Sequence, residues 1–267
     1  MTTNSNSNNG LHMNGMCAEK QKVLKLLKSL ETGDPAPFAY VDPNKYIQHN
    51  LDIAEGPAGV QTFIASLKGT ARVNTVRIFK DGNYVFAHTE YDVQGPKIGI
   101  DIFRFENGLI VEHWDNLQTT ADPSPSGHTM IDGPTQATDW QSTQQNKALV
   151  RDFYQTVLVN GNFSQLPRFY DGDNLIQHNP SVADGLAGLQ EGIAAFNAAG
   201  TPIRISAMHQ VLAEGNFVLV TAEGTFGSQP MAFYDLYRVQ NGKIAEHWDV
   251  LQPIPPQSQW KNQNGKF

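Results

Sequence analysis

Asp101-Ile-Phe-Arg-Phe-Glu-Asn-Gly-Leu-Ile-Val-Glu-His-Trp-Asp-Asn-Leu-Gln118 returns as Asp235-Leu-Tyr-Arg-Val-Gln-Asn-Gly-Lys-Ile-Ala-Glu-His-Trp-Asp-Val-Leu-Gln252, an offset of 134 (His247 against His113). Upstream of each stretch stands a second shared one, Tyr46-Ile-Gln-His-Asn50 and Leu175-Ile-Gln-His-Asn179, at an offset of 129 (His178 against His49). Gly56 and Gly59 recur at that same offset as Gly185 and Gly188, so five extra residues enter the second copy between the two motifs. Two motifs repeated in one order at nearly one spacing mark an internal duplication. One α+β domain is therefore expected twice, over residues 17–120 and 141–253. The Pro-, Gly- and Ser-rich residues 121–140 read as a linker, residues 1–16 as a flexible tail and residues 254–267 as a second tail.

Within each copy the pattern begins helical and turns to strands. Val23, Leu26, Leu27 and Leu30 fall on one helical face before Gly33-Asp34-Pro35. In the second copy Ala148, Leu149, Phe153 and Val157 make the matching stripe, Ser142 or Thr143 is the candidate N-cap, and Gly161 ends the helix. A second short helix is expected over residues 60–67 and 189–198. Residues 72–79, 84–93, 97–105 and 109–117 read as strands, with equivalents in the second copy.

The closing hairpin decides which side chains share a face. Asn107-Gly108 as a two-residue turn pairs Glu106 with Leu109 and sets Asp101 opposite Trp114. A three-residue loop with a bulge at Gly108 pairs Phe105 with Leu109 and Asp101 with His113. The second register is preferred. It gathers Asp101, Phe103, Phe105, Leu109, Val111, His113 and Asp115 on one face, and Asp235, Tyr237, Val239, Ala245, His247 and Asp249 in the second copy. The opposite face then holds Ile102, Arg104, Ile110, Glu112 and Trp114, matched by Leu236, Arg238, Ile244, Glu246 and Trp248. Arg104–Glu112 and Arg238–Glu246 are expected to form salt bridges, and the two tryptophans to be core where the sheets meet. The first face would line a cavity closed by helices, and the second would pack on the other copy as an internal pseudo-dimer.

Composition narrows the function classes. Twenty-six acidic against nineteen basic residues give a net charge of −7, so no partnership with nucleic acid or an anionic membrane is expected. The single cysteine, Cys17, excludes an internal disulfide and a cysteine zinc cluster, which fits a reducing compartment. No apolar run is long enough to span a bilayer and the N-terminus has no export pattern, so the cytoplasm is the default expectation.

Helix, helix and a curved sheet ending in the D-x-[FY]-R…HWD hairpin, with the QHN triplet and spaced glycines upstream, resemble the SnoaL-like polyketide cyclases of the ketosteroid isomerase and nuclear transport factor superfamily. The resemblance covers nearly all of both copies. It implies two cone-shaped α+β barrels, each with N-terminal helices on a curved, mixed but mainly antiparallel sheet. It also implies acid/base catalysis without metal or organic cofactor, with Asp115 and Asp249 as the acid/base. Asp101 and Asp235 are similar to the protonated aspartate that donates to an enolate in ketosteroid isomerases.

The residues themselves point the same way. Enolisation and aldol closure need a base near neutrality and a donor for an oxyanion in a dry pocket. Two carboxylates and the imidazole of His113 or His247 on one apolar face supply both, because burial and like charge push carboxyl pKa values up and apart. His49 and His178 either reach the cavity mouth, with Asn50 and Asn179 as amide donors, or are structural histidines bonded to backbone near a turn. His88 has Thr221 as its counterpart, which makes the first site the fuller one. Phe103 and Tyr237 share the inward face with the acids. A metal held by His49, His88, His113 and Asp101 lacks any tight ligand spacing, and no metal is expected. The expectation is an enzyme that acts on a small, largely apolar carbonyl compound by cyclisation, isomerisation, hydration or elimination. The rival is a small-molecule binding or assembly module of the same fold.

Overall fold

A computed structural model describes residues 15–67, 69–122 and 124–267. The expected N-terminal tail, except for residues 15 and 16, lies outside them. The first half runs α1 (Ala18–Thr32), β1 (Ile47–Gln48), α2 (Gly56–Leu67), β2 (Arg72–Asp81), β3 (Tyr84–Asp92), β4 (Pro96–Glu106) and β5 (Leu109–Thr119). The second runs α3 (Thr143–Phe153), α4 (Leu166–Phe169), β6 (Ile176–Gln177), α5 (Gly185–Ala198), β7 (Ile203–Glu214), β8 (Phe217–Phe226), β9 (Gln229–Gln240) and β10 (Lys243–Pro253). The two five-stranded sheets have one order, β1-β5-β4-β3-β2 and β6-β10-β9-β8-β7. Only the short first strand of each, carrying the Gln of the QHN triplet, lies parallel to its neighbour. Among the described residues no helix is long and apolar enough to cross a membrane.

The helical stripe of α1 is as expected, with Val23, Leu26 and Leu27 buried against the sheet. That of α3 is not. After Phe153 the backbone widens into a π-helical stretch, Tyr154–Val159, and the buried residues are Val150, Phe153, Tyr154 and Val157, whereas Ala148 is exposed. The wider turn rotates the following side chains about the axis. Val150 and Tyr154 also bury far more apolar area than a methyl group.

The hairpin register differs from both expected ones. Asn107 and Gly108, with φ of 49° and 79°, form a two-residue turn, and Glu106 pairs with Leu109. Positive φ at both central residues is what lets such a turn follow the strand twist, and Asn-Gly tolerates it best. Phe105 then pairs with Ile110 but Arg104 with Glu112, so Val111 is an extra residue, and Asp101 comes to lie opposite Asp115. In the second half Ala245 is the extra residue, and Asp235 pairs with Asp249. A bulge advances one strand by a residue and so exchanges the faces on either side of it. The aspartates and imidazoles therefore share the inward face as anticipated. Ile110 and Ile244 join the inward core with Phe105 and Val239, contrary to the expected alternation.

The opposite faces of the two sheets meet in one apolar layer, in which Phe79, Phe86, Ile100, Ile102 and Trp114 pack with Phe217, Leu219, Tyr234, Leu236 and Trp248. Contacts cross reciprocally. Leu251 N–H donates to Gln118 (2.8 Å) and Leu117 N–H to Gln252 (3.2 Å), which gives the repeated Leu-Gln a physical role. Fully buried Arg77 lies over the Trp248 ring and donates to the carbonyls of Ile131, Asp132 and Pro134 in the connector. The residues after Pro253 return to the first half. Asn262 donates to the carbonyls of Asn50 and Ile53, Asn264 to that of Gln48, and buried Lys266 to that of Asp115. The connector does the same for the second half, where Ser126 donates to the carbonyl of Gln177.

Candidate active site

Each sheet and its helices enclose a cavity whose aspartates, histidine and amides come from the strand after the hairpin, the strand before it, and the short parallel strand with its turn. In the second half this cavity measures about 200 Å³ and is lined by Phe153, Tyr154, Leu189, Phe233, Tyr237 and Leu251 around Asp235, His247 and Asp249. The first half has about 80 Å³ around Asp101, His113 and Asp115. An apolar cavity of roughly 150 Å³ holds a benzene ring. On that scale, of these two cavities only the second is open to a ring-sized guest.

The hydrogen bonds fix where protons sit. His247 Nδ1 is 2.8 Å from Gln177 Oε1, an oxygen that also accepts from the N–H groups of His178 and Asn179. A shared acceptor has no hydrogen to give, so His247 carries its proton on Nδ1. Its Nε2 lies 2.9 Å from Asp235 Oδ1, and one proton must occupy that contact. Asp235 Oδ2 accepts from the Tyr154 hydroxyl at 2.8 Å. In the first half His113 meets Gln48 (3.0 Å) and Asp101 (3.1 Å) in the same way, and Tyr91 donates to Asp101 at 2.6 Å. Burial holds both tyrosine hydroxyls well above their ordinary pKa, helped by the neighbouring aspartates, so they remain donors.

The other aspartate of each pair is differently placed. Asp249 Oδ2 accepts from Asn179 Nδ2 (2.5 Å), while Oδ1 is buried and among the described residues has no hydrogen-bond partner. Burial pushes the Asp249 carboxyl up to about 6, the Asp235 charge adds to this, and His247 opposes it. Burial works against a charged His247, yet the Asp235 hydrogen bond and the charges of Asp249 and Asp235 outweigh it and raise the imidazole above its usual range. Asp101 is likewise raised by burial against the pull of His113. Asp115 Oδ2 accepts from Asn50 Nδ2 (2.7 Å), and its free oxygen faces the Lys266 ammonium at 3.7 Å. The donor atoms of each Asp-His-Asp set lie within 4.8 Å of one another, close enough for a divalent ion. An ion there would have to displace the proton that the imidazole and the facing carboxylate share.

Asn50, Asn179, Phe103 and Tyr237 line the cavities as expected, the two aromatic rings stacked on His113 and His247. Three expected cavity histidines do not. His49 and His178 stack on Trp114 and Trp248 at 4.8 and 4.5 Å and contact Glu112 and Glu246, which also take the Arg104 and Arg238 salt bridges at 2.6 Å. Their other nitrogens face the carbonyls of Gly265 and Thr129, so neither ring lines a cavity. His88 lies one residue beyond inward-facing Ala87 on β3 and so points into the layer between the sheets. There it meets Arg77 at 3.3 Å, and burial together with that guanidinium keeps it neutral. Tyr91 and Tyr154 were not anticipated. They serve one purpose from unmatched positions, a strand in one half and the π-helical stretch in the other, so no comparison of the repeats brings them out.

Residues 150–247 match the SnoaL-like domain family. No curated protein matches the sequence significantly. Solved structures that resemble parts of the chain include TsrD from Streptomyces laurentii, at 21% identity over 37% of this chain and 86% of that one, TM-score 0.33. An NTF2-like protein from Cytophaga hutchinsonii is similar at 16% identity over 40% and 95%, TM-score 0.34. An LEH-like epoxide hydrolase of M. tuberculosis is similar at 17% over 38% and 82%, TM-score 0.33.

Proposed function

We propose, from the premise that this chain carries a SnoaL-like domain at residues 150–247, that it is a cofactor-free acid/base enzyme for a small, largely apolar carbonyl compound. Its two halves form an internal pseudo-dimer of cone-shaped barrels, and the second half holds the principal site. The observation that carries this reading is the Asp249 carboxyl: its residue lines a ring-sized apolar cavity, its Oδ1 is buried and has no hydrogen-bond partner among the described residues, and burial pushes it up to about 6. A base of that pKa is mostly ionised at neutrality, ready to take a proton, and close enough to neutrality to return it.

In this reading Asp249 Oδ1 removes a proton from the carbon next to the carbonyl. The positive His247, held by Asp235, offsets the charge that develops on the carbonyl oxygen. Asp235 has both oxygens taken, by His247 and Tyr154, so its role is to hold the imidazole charged and oriented rather than to donate to an enolate. Asp101 likewise has one oxygen on His113 and the other on Tyr91. Asn179 holds Asp249 in place through the other carboxylate oxygen. The enolate so formed leads on to aldol closure, isomerisation or elimination according to the substrate.

The test is α-proton exchange in D2O with a panel of cyclic and aryl ketones, followed by NMR. Wild type should catalyse exchange, Asp249→Asn should abolish it, and Asp115→Asn should leave most of it. Tight ketone binding without exchange in wild type would favour the non-catalytic binding module, and exchange undiminished in Asp249→Asn would remove Asp249 from the reaction.

A further inference from the structure

The connector sets His128 and Asp132 beside His178 of the second QHN triplet, outside the acid/base cavity. We propose that these three residues bind a divalent cation of the zinc class and so pin the connector to the second half.

The donor atoms of the three residues lie within 4.8 Å of one another. His178 Nδ1 is 2.8 Å from Asp132 Oδ1, and His128 Nδ1 is 3.4 Å from Asp132 Oδ2. Ligand atoms of a tetrahedral zinc site stand about 3.3 Å apart at zinc–nitrogen distances near 2 Å, so small side-chain shifts suffice. The Thr129 carbonyl, 2.8 Å from His178 Nδ1, is available as a fourth ligand.

The surroundings carry the argument beyond proximity. A metal-bound imidazole needs an acceptor on its second nitrogen to fix its tautomer. His178 Nε2 has fully buried Glu246 at 2.9 Å; the Asp184 carboxylate stands 3.6 Å from His128 Nε2, a charge contact longer than a hydrogen bond. Asp184 is itself tied down, accepting from Gln177 N–H at 2.8 Å. The His178 ring is fully buried and lies flat on Trp248. The Asp132 backbone is held by Arg77 and by Trp248 Nε1 (2.9 Å), so the ligand is positioned before any ion arrives. Two imidazoles and one carboxylate suit zinc, cobalt or nickel rather than magnesium or calcium. Among the described residues the matching place in the first half has no such set, and His49 Nδ1 faces the Gly265 carbonyl.

The experiment is calorimetric titration of the full chain with zinc chloride, paired with the visible absorption of the cobalt(II) form. The chains compared are wild type, His128→Ala, Asp132→Asn and the double variant Asp115→Asn/Asp249→Asn. One site per chain is expected, weakened at least about tenfold in His128→Ala and in Asp132→Asn and kept in the double variant. Zinc should raise the melting temperature of wild type and not that of His128→Ala. His128 is about one-third exposed, so its loss leaves the fold intact and decides the matter if Asp132→Asn does not fold. The proposal is overturned if wild type takes up no zinc at micromolar concentration, or if both connector variants bind like wild type. Loss of binding in the double variant would equally overturn it, since the ion would then belong to the acid/base sets.

Discussion

Replacing Asp249 with Asn should make the protein more stable at neutral pH. A carboxyl whose pKa rises on folding binds its proton more tightly when folded, so folding is opposed once the solution pH would ionise it. For Asp249 the shift runs from 3.8 to about 6. Complete ionisation then costs about 3 kcal/mol of folding free energy. The penalty is absent below pH 4, grows between pH 4 and 6, and is constant above. Asparagine is never charged and its oxygen can still accept from Asn179, so it escapes the penalty. It also loses the attraction that Asp249 exerts on His247, which reduces the net gain at pH 7 to about 1–3 kcal/mol. Urea unfolding of wild type and Asp249→Asn at pH 3.5, 5 and 7 measures this directly. The two curves should agree at pH 3.5 and separate with rising pH, the variant unfolding later. A variant that is less stable by the same amount at every pH would refute the reasoning, because the carboxylate would then be an ordinary structural partner.

Other consequences are as specific. Tyr154→Phe removes the hydroxyl donor from buried Asp235 Oδ2 and should cost about 1–3 kcal/mol of stability, measured in urea. It should also slow ketone exchange more than Tyr91→Phe does. Gly133→Ala forces a side chain at φ of +96° and sets its Cβ 2.5 Å from Glu246 Oε1 and 2.9 Å from the Trp248 ring. A loss of about 2 kcal/mol or more is expected by thermal or urea unfolding. Ending the chain at Pro253 removes the bonds from Asn262, Asn264 and Lys266 to the first half. Hydrogen exchange should then quicken at residues 48–53 and stay unchanged at residues 177–182, where the connector supplies the equivalent contacts.

Much of this architecture could be read from the repeat. The two QHN and HWD stretches set the position of each short parallel strand and closing hairpin, and the spacing of Arg and Glu in that hairpin foretold both salt bridges. Convergence of two aspartates and an imidazole on one face was also legible, although for an incomplete reason. The turn is two residues long, and the extra residues at Val111 and Ala245 restore the facing that a longer loop had been invoked to supply. A bulge leaves no mark in the alternation of Val and Ile on a strand buried on both faces, which is why the placement of Ile110 and Ile244 failed. The histidines failed for a related reason. His88 sits on a doubly buried strand, and only the pairing partners tell which face is the cavity. His49 and His178 follow the short strand, where one residue decides between cavity and tryptophan. The polar Asn- and Gln-rich end of the chain reads as a tail, but its amides are the donors that cap backbone carbonyls of the first half.

The central claim is that Asp249 is a buried base poised near neutrality. Carbon-13 NMR of the side-chain carboxyl carbons, assigned by comparison with Asp249→Asn and followed from pH 3 to pH 9, measures it most directly. The account predicts a titration midpoint near 6 for Asp249. A midpoint near 4, that of a solvated carboxyl, would contradict it.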